Sequence, residues 1–178
     1  MKRVAVFCGS RVGARPAYMT VAHELGASLA RHGVGIVYGG AHVGLMGAVA
    51  DGALSEGGDV HGVIPQALVD RELEHPRLTK LERVDTMHQR KAIMAEAADG
   101  FVVLPGGIGT LEEIFEAWTW RYIGYHTKPC VLVDVEGYWA RLEGFLEHMV
   151  VEGFLTRETL AMLVVARSVP ETLAALKI

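Results

Sequence analysis

The sequence predicts an α/β fold, a parallel sheet with helices on both faces, in a single domain over residues 1–178. Three features predict it. Six short runs rich in β-branched residues recur along the chain, without the polar alternation of a strand that has one wet face. Segments of helical length lie between them. Most runs end in glycine or proline, as strands feeding tight turns do. A chain of 178 residues also suits one core.

The first strand is Arg3–Phe7, closed by Cys8-Gly9-Ser10 and followed by a helix over 17–31. Gly35–Tyr38 ends at Gly39-Gly40 and precedes a helix over 45–56. The run 60–64 ends at Pro65, and the charged stretch 66–83, which contains Pro76, reads as a loop or short helix. A helix over 86–98 leads to a strand over 101–104, then Pro105-Gly106-Gly107 and a helix over 111–123. Cys130–Val133, a helix over 138–152, a strand over 162–165 and a helix over 170–177 complete the alternation. Right-handed crossovers make such a chain a Rossmann-like sheet. Ligands collect beyond the carboxyl ends of its strands, where the glycine-rich segments lie.

Apolar residues make up 51% of the chain and charged residues 21%, which excludes a disordered chain. The apolar surplus in so small a domain predicts a buried subunit interface, hence a homodimer. A formal charge of −4 with no basic run argues against a nucleic-acid partner. Cys8 and Cys130 lie outside any CxxC or Cys/His cluster, so no metal site is expected and both read as buried thiols of a reduced compartment. No stretch approaches transmembrane length and the first apolar run is too short for a signal peptide. A cytoplasmic location without a membrane partner is the expectation.

Pro105-Gly106-Gly107-Ile108-Gly109-Thr110 follows a strand and opens a helix. Glycines let backbone approach an anion closely, and the free N–H groups at the positive helix end suit a phosphate. The pattern is neither GxGxxG nor the GxxxxGK of a P-loop, so neither a dinucleotide nor a nucleoside triphosphate is indicated. Gly39-Gly40 through Gly47 has the same build on the same sheet edge. An empty turn is the alternative for either loop; the two together favour a ligand.

Thr110-Leu111-Glu112-Glu113 fits a capping box, with Thr110 as cap and Glu113 reaching back. On the other reading, Glu113 lies off the apolar stripe of Leu111, Ile114, Phe115, Trp118 and Tyr122, and its carboxylate faces a ribose beside the phosphate. Glu116 lies one turn on, as a second carboxylate or as part of an exposed face. In the helix over 86–98, a rotation of about 100° per residue puts Ile93, Met94, Ala97 and Ala98 on one arc with Met87, and Arg90 falls inside it. An inward arginine needs an ion pair or an outward route for its head, or else serves an anion or Glu113. Lys91 borders the arc and His88 faces away.

These residues resemble a known family. Phe7-Cys8-Gly9-Ser10, Tyr38-Gly39-Gly40, Gly44-Leu45-Met46-Gly47 and Gly62-Val63-Ile64-Pro65 carry the first part of the likeness. Met87-His88-Gln89-Arg90-Lys91, the run Pro105 to Glu113, Thr119-Trp120 and Glu152-Gly153-Phe154 carry the rest. Over nearly its whole length the chain resembles the LONELY GUY family of cytokinin riboside 5′-monophosphate phosphoribohydrolases, and PGGxGTxxE with an upstream MHxRK is the specific part. The resemblance implies a dimer that splits a nucleoside 5′-monophosphate into free base and ribose 5-phosphate. It implies Arg90 and Glu113 as the catalytic pair, with no cofactor and no metal. It implies nucleotide contacts from Glu72, Lys91, Gly107, Ile108, Gly109, Thr110 and Thr119. The same loops add Ser10, Gly40, Gly106, Leu111 and Glu112 as substrate-binding candidates. Arg11 and Ala41 stand where many members have a small hydroxyl residue and a glycine, and Tyr122 and Tyr125 replace aliphatic residues, which leaves the preferred base open.

Members have also been labelled lysine decarboxylases, a reaction that needs a lysine Schiff base to pyridoxal phosphate. Lys2, Lys80, Lys91, Lys128 and Lys177 lie in no recognisable context for it. The expected mechanism is hydrolytic: the phosphate grip fixes the ribose, Glu113 stabilises the developing sugar cation and orients water, and Arg90 holds the carboxylate or the nucleotide. The alternative is a nucleotide-binding or carrier module without catalysis.

Overall fold

A computed structural model describes residues 1–70 and 73–178. Its strands are β1 (Arg3–Phe7), β2 (Gly35–Tyr38), β3 (Val60–Pro65), β4 (Lys80–Val84), β5 (Gly100–Val103), β6 (Cys130–Val133) and β7 (Leu163–Ala166). Its helices are α1 (Pro16–Arg31), α2 (Gly44–Ser55), α3 (Gln66–Val69), α4 (Met87–Ala97), α5 (Ile108–Tyr122), α6 (Ala140–Val151), α7 (Arg157–Leu160) and α8 (Val169–Leu176). Every strand pair is parallel, and the order across the sheet is β4-β3-β2-β1-β5-β6-β7. The chain winds outward from β1 on one side, then returns to place β5 on the other. The switch point between β1 and β5 is where diverging loops leave a crevice.

Alternate strand residues feed two apolar layers. Val4 and Val6 pack with Leu25 and Leu29 of α1, Val49 of α2 and Leu173 of α8. Ala5 and Phe7 pack with Met94 of α4, Ile114 of α5 and Leu146 of α6. Burial on both faces explains why the strands read as unbroken apolar runs. Glycines set the closest helix contact: a Cβ on Gly26 would stand 2.0 Å from the Val49 carbonyl oxygen, and one on Gly52 2.0 Å from that of His23. The backbones of α1 and α2 touch through these positions.

The structure corrects three expectations. The stretch 66–83 contains α3, but its end is part of β4, an edge strand paired with β3. Charges such as Lys80, Glu82 and Arg83 keep an open edge from pairing with another chain, and the same charges hide the strand from a hydrophobicity reading. Next, α5 begins at Ile108 with Gly107 at its cap, three residues before the expected start at 111, so the Thr110–Glu113 capping box does not form. A box forms instead on α4, where the Gln89 backbone N–H donates to the Thr86 hydroxyl at 3.2 Å and the Thr86 N–H donates to the Gln89 side chain at 3.1 Å. Last, the inner face of α5 holds Glu113, Ile114, Ala117 and Trp118, while Tyr122 is 59% exposed.

Candidate active site

A cleft of about 840 Å³ opens at the carboxyl ends of β1, β2 and β5. Three loops form it, and the backbone stitches them together. The Gly9 N–H donates to the Pro105 carbonyl at 3.0 Å, and the Leu45 N–H donates to the Gly9 carbonyl at 3.0 Å. A Cβ on Gly9 would meet the Gly106 Cα at 3.3 Å, tight enough to disturb the loop.

The two glycine loops differ in what they leave free. In α2 the Leu45 N–H is occupied by Gly9, so the start of that helix serves the fold. In α5 no side chain caps the helix, and its first-turn residues Ile108, Gly109 and Thr110, whose N–H groups have no partner within the helix, line the cleft. Thr110 is buried, and its side chain fills the space a Cβ on Gly106 would take, with Oγ1 at 2.1 Å from that position. An uncapped helix start behind a glycine turn has the geometry of an anion site.

Arg90 and Glu113 meet on the floor of this cleft. Both are 8% exposed, and Arg90 Nη2 lies 3.7 Å from Glu113 Oε1. That separation is an ion pair without a hydrogen bond. The Arg90 head is aimed by Nε donating to the Val63 carbonyl at 3.2 Å and by Nη1 against the Met87 sulfur at 3.7 Å. Gly39 makes room for it, since a Cβ there would stand 1.8 Å from Nη2. Burial pushes the Glu113 carboxyl up to about 7 and Arg90 pulls back only part of the rise. Burial, reinforced by Glu113, also raises the neighbouring Cys8 thiol, which stays protonated.

Lys91 is buried beside this pair but turns its charge elsewhere. Its amine binds Glu112, and lies 3.1 Å from Glu116 Oε2. Burial alone would lower its pKa; the two carboxylates outweigh burial and raise it. Lys91 thus clamps α4 onto α5 and fixes Arg90 relative to Glu113. Glu116 is the far jaw of the clamp.

Of the residues singled out in the sequence, Ser10, Arg90, Gly106, Gly107, Ile108, Gly109, Thr110, Glu112 and Glu113 line one cleft. Lys91, Leu111 and Gly40 support it from behind: Gly40 takes φ +77° and its carbonyl accepts the His75 N–H at 2.9 Å. Thr119 opens onto a different groove, on the outer side of α5. Glu72 lies outside the described residues. Sequence reasoning missed Arg11 at the cleft rim and the apolar wall of Met46, Leu68 and Leu73. Leu68 and Leu73 come from the stretch read as a loop or short helix, Leu68 from α3 itself, where the bridge between Ala41 and Glu74 lays the chain along the β2 loop. It also missed Tyr138, whose hydroxyl donates to the Gly106 carbonyl.

Residues 46–176 match a family model described as possible lysine decarboxylase. The chain is 46% identical over 177 residues to a cytokinin riboside 5′-monophosphate phosphoribohydrolase from Rhodococcoides fascians, covering 99% of this chain and 89% of that one. It is 43% identical over 170 residues to one from Arabidopsis thaliana, covering 96% and 80%. Among solved structures, the molybdenum cofactor carrier protein of Chlamydomonas reinhardtii superposes with a TM-score of 0.74 at 23% identity, covering 99% and 96%. A molybdenum cofactor binding protein from Rippkaea orientalis gives 0.76 at 20%, covering 99% and 96%. At such identities these two speak for the fold alone.

Proposed function

This chain belongs to the family of cytokinin riboside 5′-monophosphate phosphoribohydrolases, and on that premise we propose that it hydrolyses the N-glycosidic bond of adenosine 5′-monophosphates, cytokinin-type or plain, to free base and ribose 5-phosphate. The observation that carries the reading is the buried Arg90–Glu113 pair beside an uncapped helix start.

The 5′-phosphate sits on the N–H groups of Ile108, Gly109 and Thr110, with Gly106, Gly107 and Ser10 shaping the seat. Anchoring the phosphate positions C1′ over Glu113, so remote binding energy serves orientation. As the C1′–N9 bond breaks, its electron pair leaves with N9 and positive charge grows on the ribose. The ionised Glu113 stabilises that charge and takes a proton from the water whose oxygen bonds to C1′. N9 keeps the electron pair of the broken bond and takes up a proton from solvent, and Glu113 returns its own proton to solvent, so that one water is consumed and the base leaves neutral. A carboxyl that titrates at about 7 is matched to accepting that proton near neutral pH. Arg90 keeps the carboxylate in place. The apolar wall of Met46, Leu68 and Leu73 offers the base a dry surface.

The lysine decarboxylase description does not fit the lysines. A Schiff-base lysine has to shed its proton, and buried Lys91 is held protonated by Glu112 and Glu116.

We assign homodimer formation to the outer side of α5. Exposed Tyr122 and Phe154 line a groove of about 240 Å³ there together with Thr119, and Ile123 and Tyr125, exposed too, follow directly after Tyr122 in the chain. Exposed apolar surface of this kind supports a protein contact. Two buried free thiols, Cys8 and Cys130, support a reducing, cytoplasmic setting. No helix among the described residues is long and apolar enough to cross a membrane.

The test is incubation with AMP and with isopentenyladenosine 5′-monophosphate, followed by chromatography for free base and an assay for ribose 5-phosphate. Equimolar release supports hydrolysis. Tight binding without release would make the chain a carrier.

A further inference from the structure

We propose that Arg11 is a phosphate-binding residue that sets the preference for a 5′-monophosphate over the bare nucleoside; this rests on the reading of the cleft given above. The first ground is charge. A phosphate monoester carries roughly −1.5 to −2 at pH 7, and a helix start offers about +0.5. About one negative charge is left for a side chain. Arg90 is committed to Glu113, the Val63 carbonyl and Met87. Lys91 is committed to Glu112 and Glu116. Arg11 lines the cleft, is exposed, and forms no ion pair among the described residues.

The second ground is placement. The loop that carries Arg11 is fastened to the phosphate seat on both sides. Gly9 bonds to Pro105 and packs on Gly106. Further along, Tyr18 at the start of α1 meets the Tyr138 ring edge-on at 5.6 Å, and the Tyr138 hydroxyl donates to the Gly106 carbonyl. Gly13, at φ +74°, turns the loop over the Tyr18 ring. Against the other flank, a Cβ on Gly44 would lie 2.4 Å from the Arg11 nitrogen, so the Arg11 backbone is wedged against α2. With the backbone this confined, only the side chain of Arg11 has to be ordered when it closes on a ligand. The planar guanidinium also suits two phosphate oxygens at once.

The experiment is calorimetric titration of ribose 5-phosphate and of ribose into the wild type, Arg11→Gln and Arg11→Lys, with circular dichroism to verify folding. Arg11→Gln is expected to weaken ribose 5-phosphate about tenfold while leaving ribose unchanged, and Arg11→Lys to recover part of the loss. With AMP, the loss is expected in KM rather than kcat. Equal ribose 5-phosphate affinity in wild type and Arg11→Gln, or no binding by the wild type, overturns the proposal. If AMP binds but no variant cleaves it, while ribose 5-phosphate affinity still follows Arg11, the hydrolase reading fails and the role of Arg11 stands.

Discussion

Glu113 is held in a conflict that the fold does not relieve: burial favours its neutral form, Arg90 its charged form, and burial wins by enough to move the pKa from 4.5 to about 7. Below pH 4.5 the carboxyl holds its proton folded or unfolded. Between 4.5 and about 7 the unfolded chain gives the proton up and the folded one keeps it, so stability falls as pH rises through that window. Glu113→Gln is expected to remove this dependence, and so to gain on the wild type between pH 4 and pH 8 by at most on the order of 3 kcal/mol. Urea titrations at the two pH values measure it. The same group is expected to give kcat/KM an acid limb with a midpoint near 7, read from a pH–rate profile. Arg90→Ala withdraws the larger of the two pulls toward ionisation, the other being Lys91, so residual activity is expected to shift its acid limb to higher pH. Gly39→Ala tests geometry without altering charge: its Cβ would occupy the place of Arg90 Nη2, 1.8 Å away, and the long side chain would swing aside. A fall of about 100-fold in kcat with a small change in Tm is expected, in line with losses from small misplacements. Arg90 and Glu113 were visible in the sequence, one by its place on an apolar arc and the other by its place after a glycine turn. Gly39 was visible only as a loop glycine, because the side chain it admits comes from 51 residues further along.

At the scale of elements, the strands buried on both faces were legible because two-sided burial leaves an unbroken apolar run. The charged edge strand β4 was not, because its outer edge meets water. The start of α5 was misread for a reason tied to its role. A threonine followed three residues later by glutamate is the ordinary mark of a capped helix, yet here the helix starts earlier and its cap is a glycine with no side chain to donate or accept. A threonine cap would have occupied an N–H group that the proposed phosphate seat uses. The contact of α1 with α2 carries a prediction of its own. Gly26→Ala forces a methyl to within 2.0 Å of the Val49 carbonyl, and neither backbone can yield. A loss of about 1–3 kcal/mol is expected from overpacking, read as a lower Tm, with KM for AMP little changed because neither Gly26 nor Val49 lines the cleft.

At the scale of the whole molecule, the apolar surplus in the composition predicts an interface without saying where it lies. The expected stripe on α5 counted Tyr122 as inward; the helix turns it outward, beside Ile123 and Tyr125, and Phe154 adds to the same side at 84% exposure. Sedimentation is expected to find a dimer for the wild type and a monomer for Phe154→Glu. A wild-type monomer would remove this face from the account. The proposed chemistry rests on one pair of side chains, Arg90 and Glu113, in the cleft at the switch point of the sheet. The most direct measurement is kcat of Glu113→Gln on isopentenyladenosine 5′-monophosphate, with ribose 5-phosphate affinity as the control for an intact seat. The account predicts that free-base release falls at least about 100-fold while ribose 5-phosphate still binds. Release at the wild-type rate would contradict it.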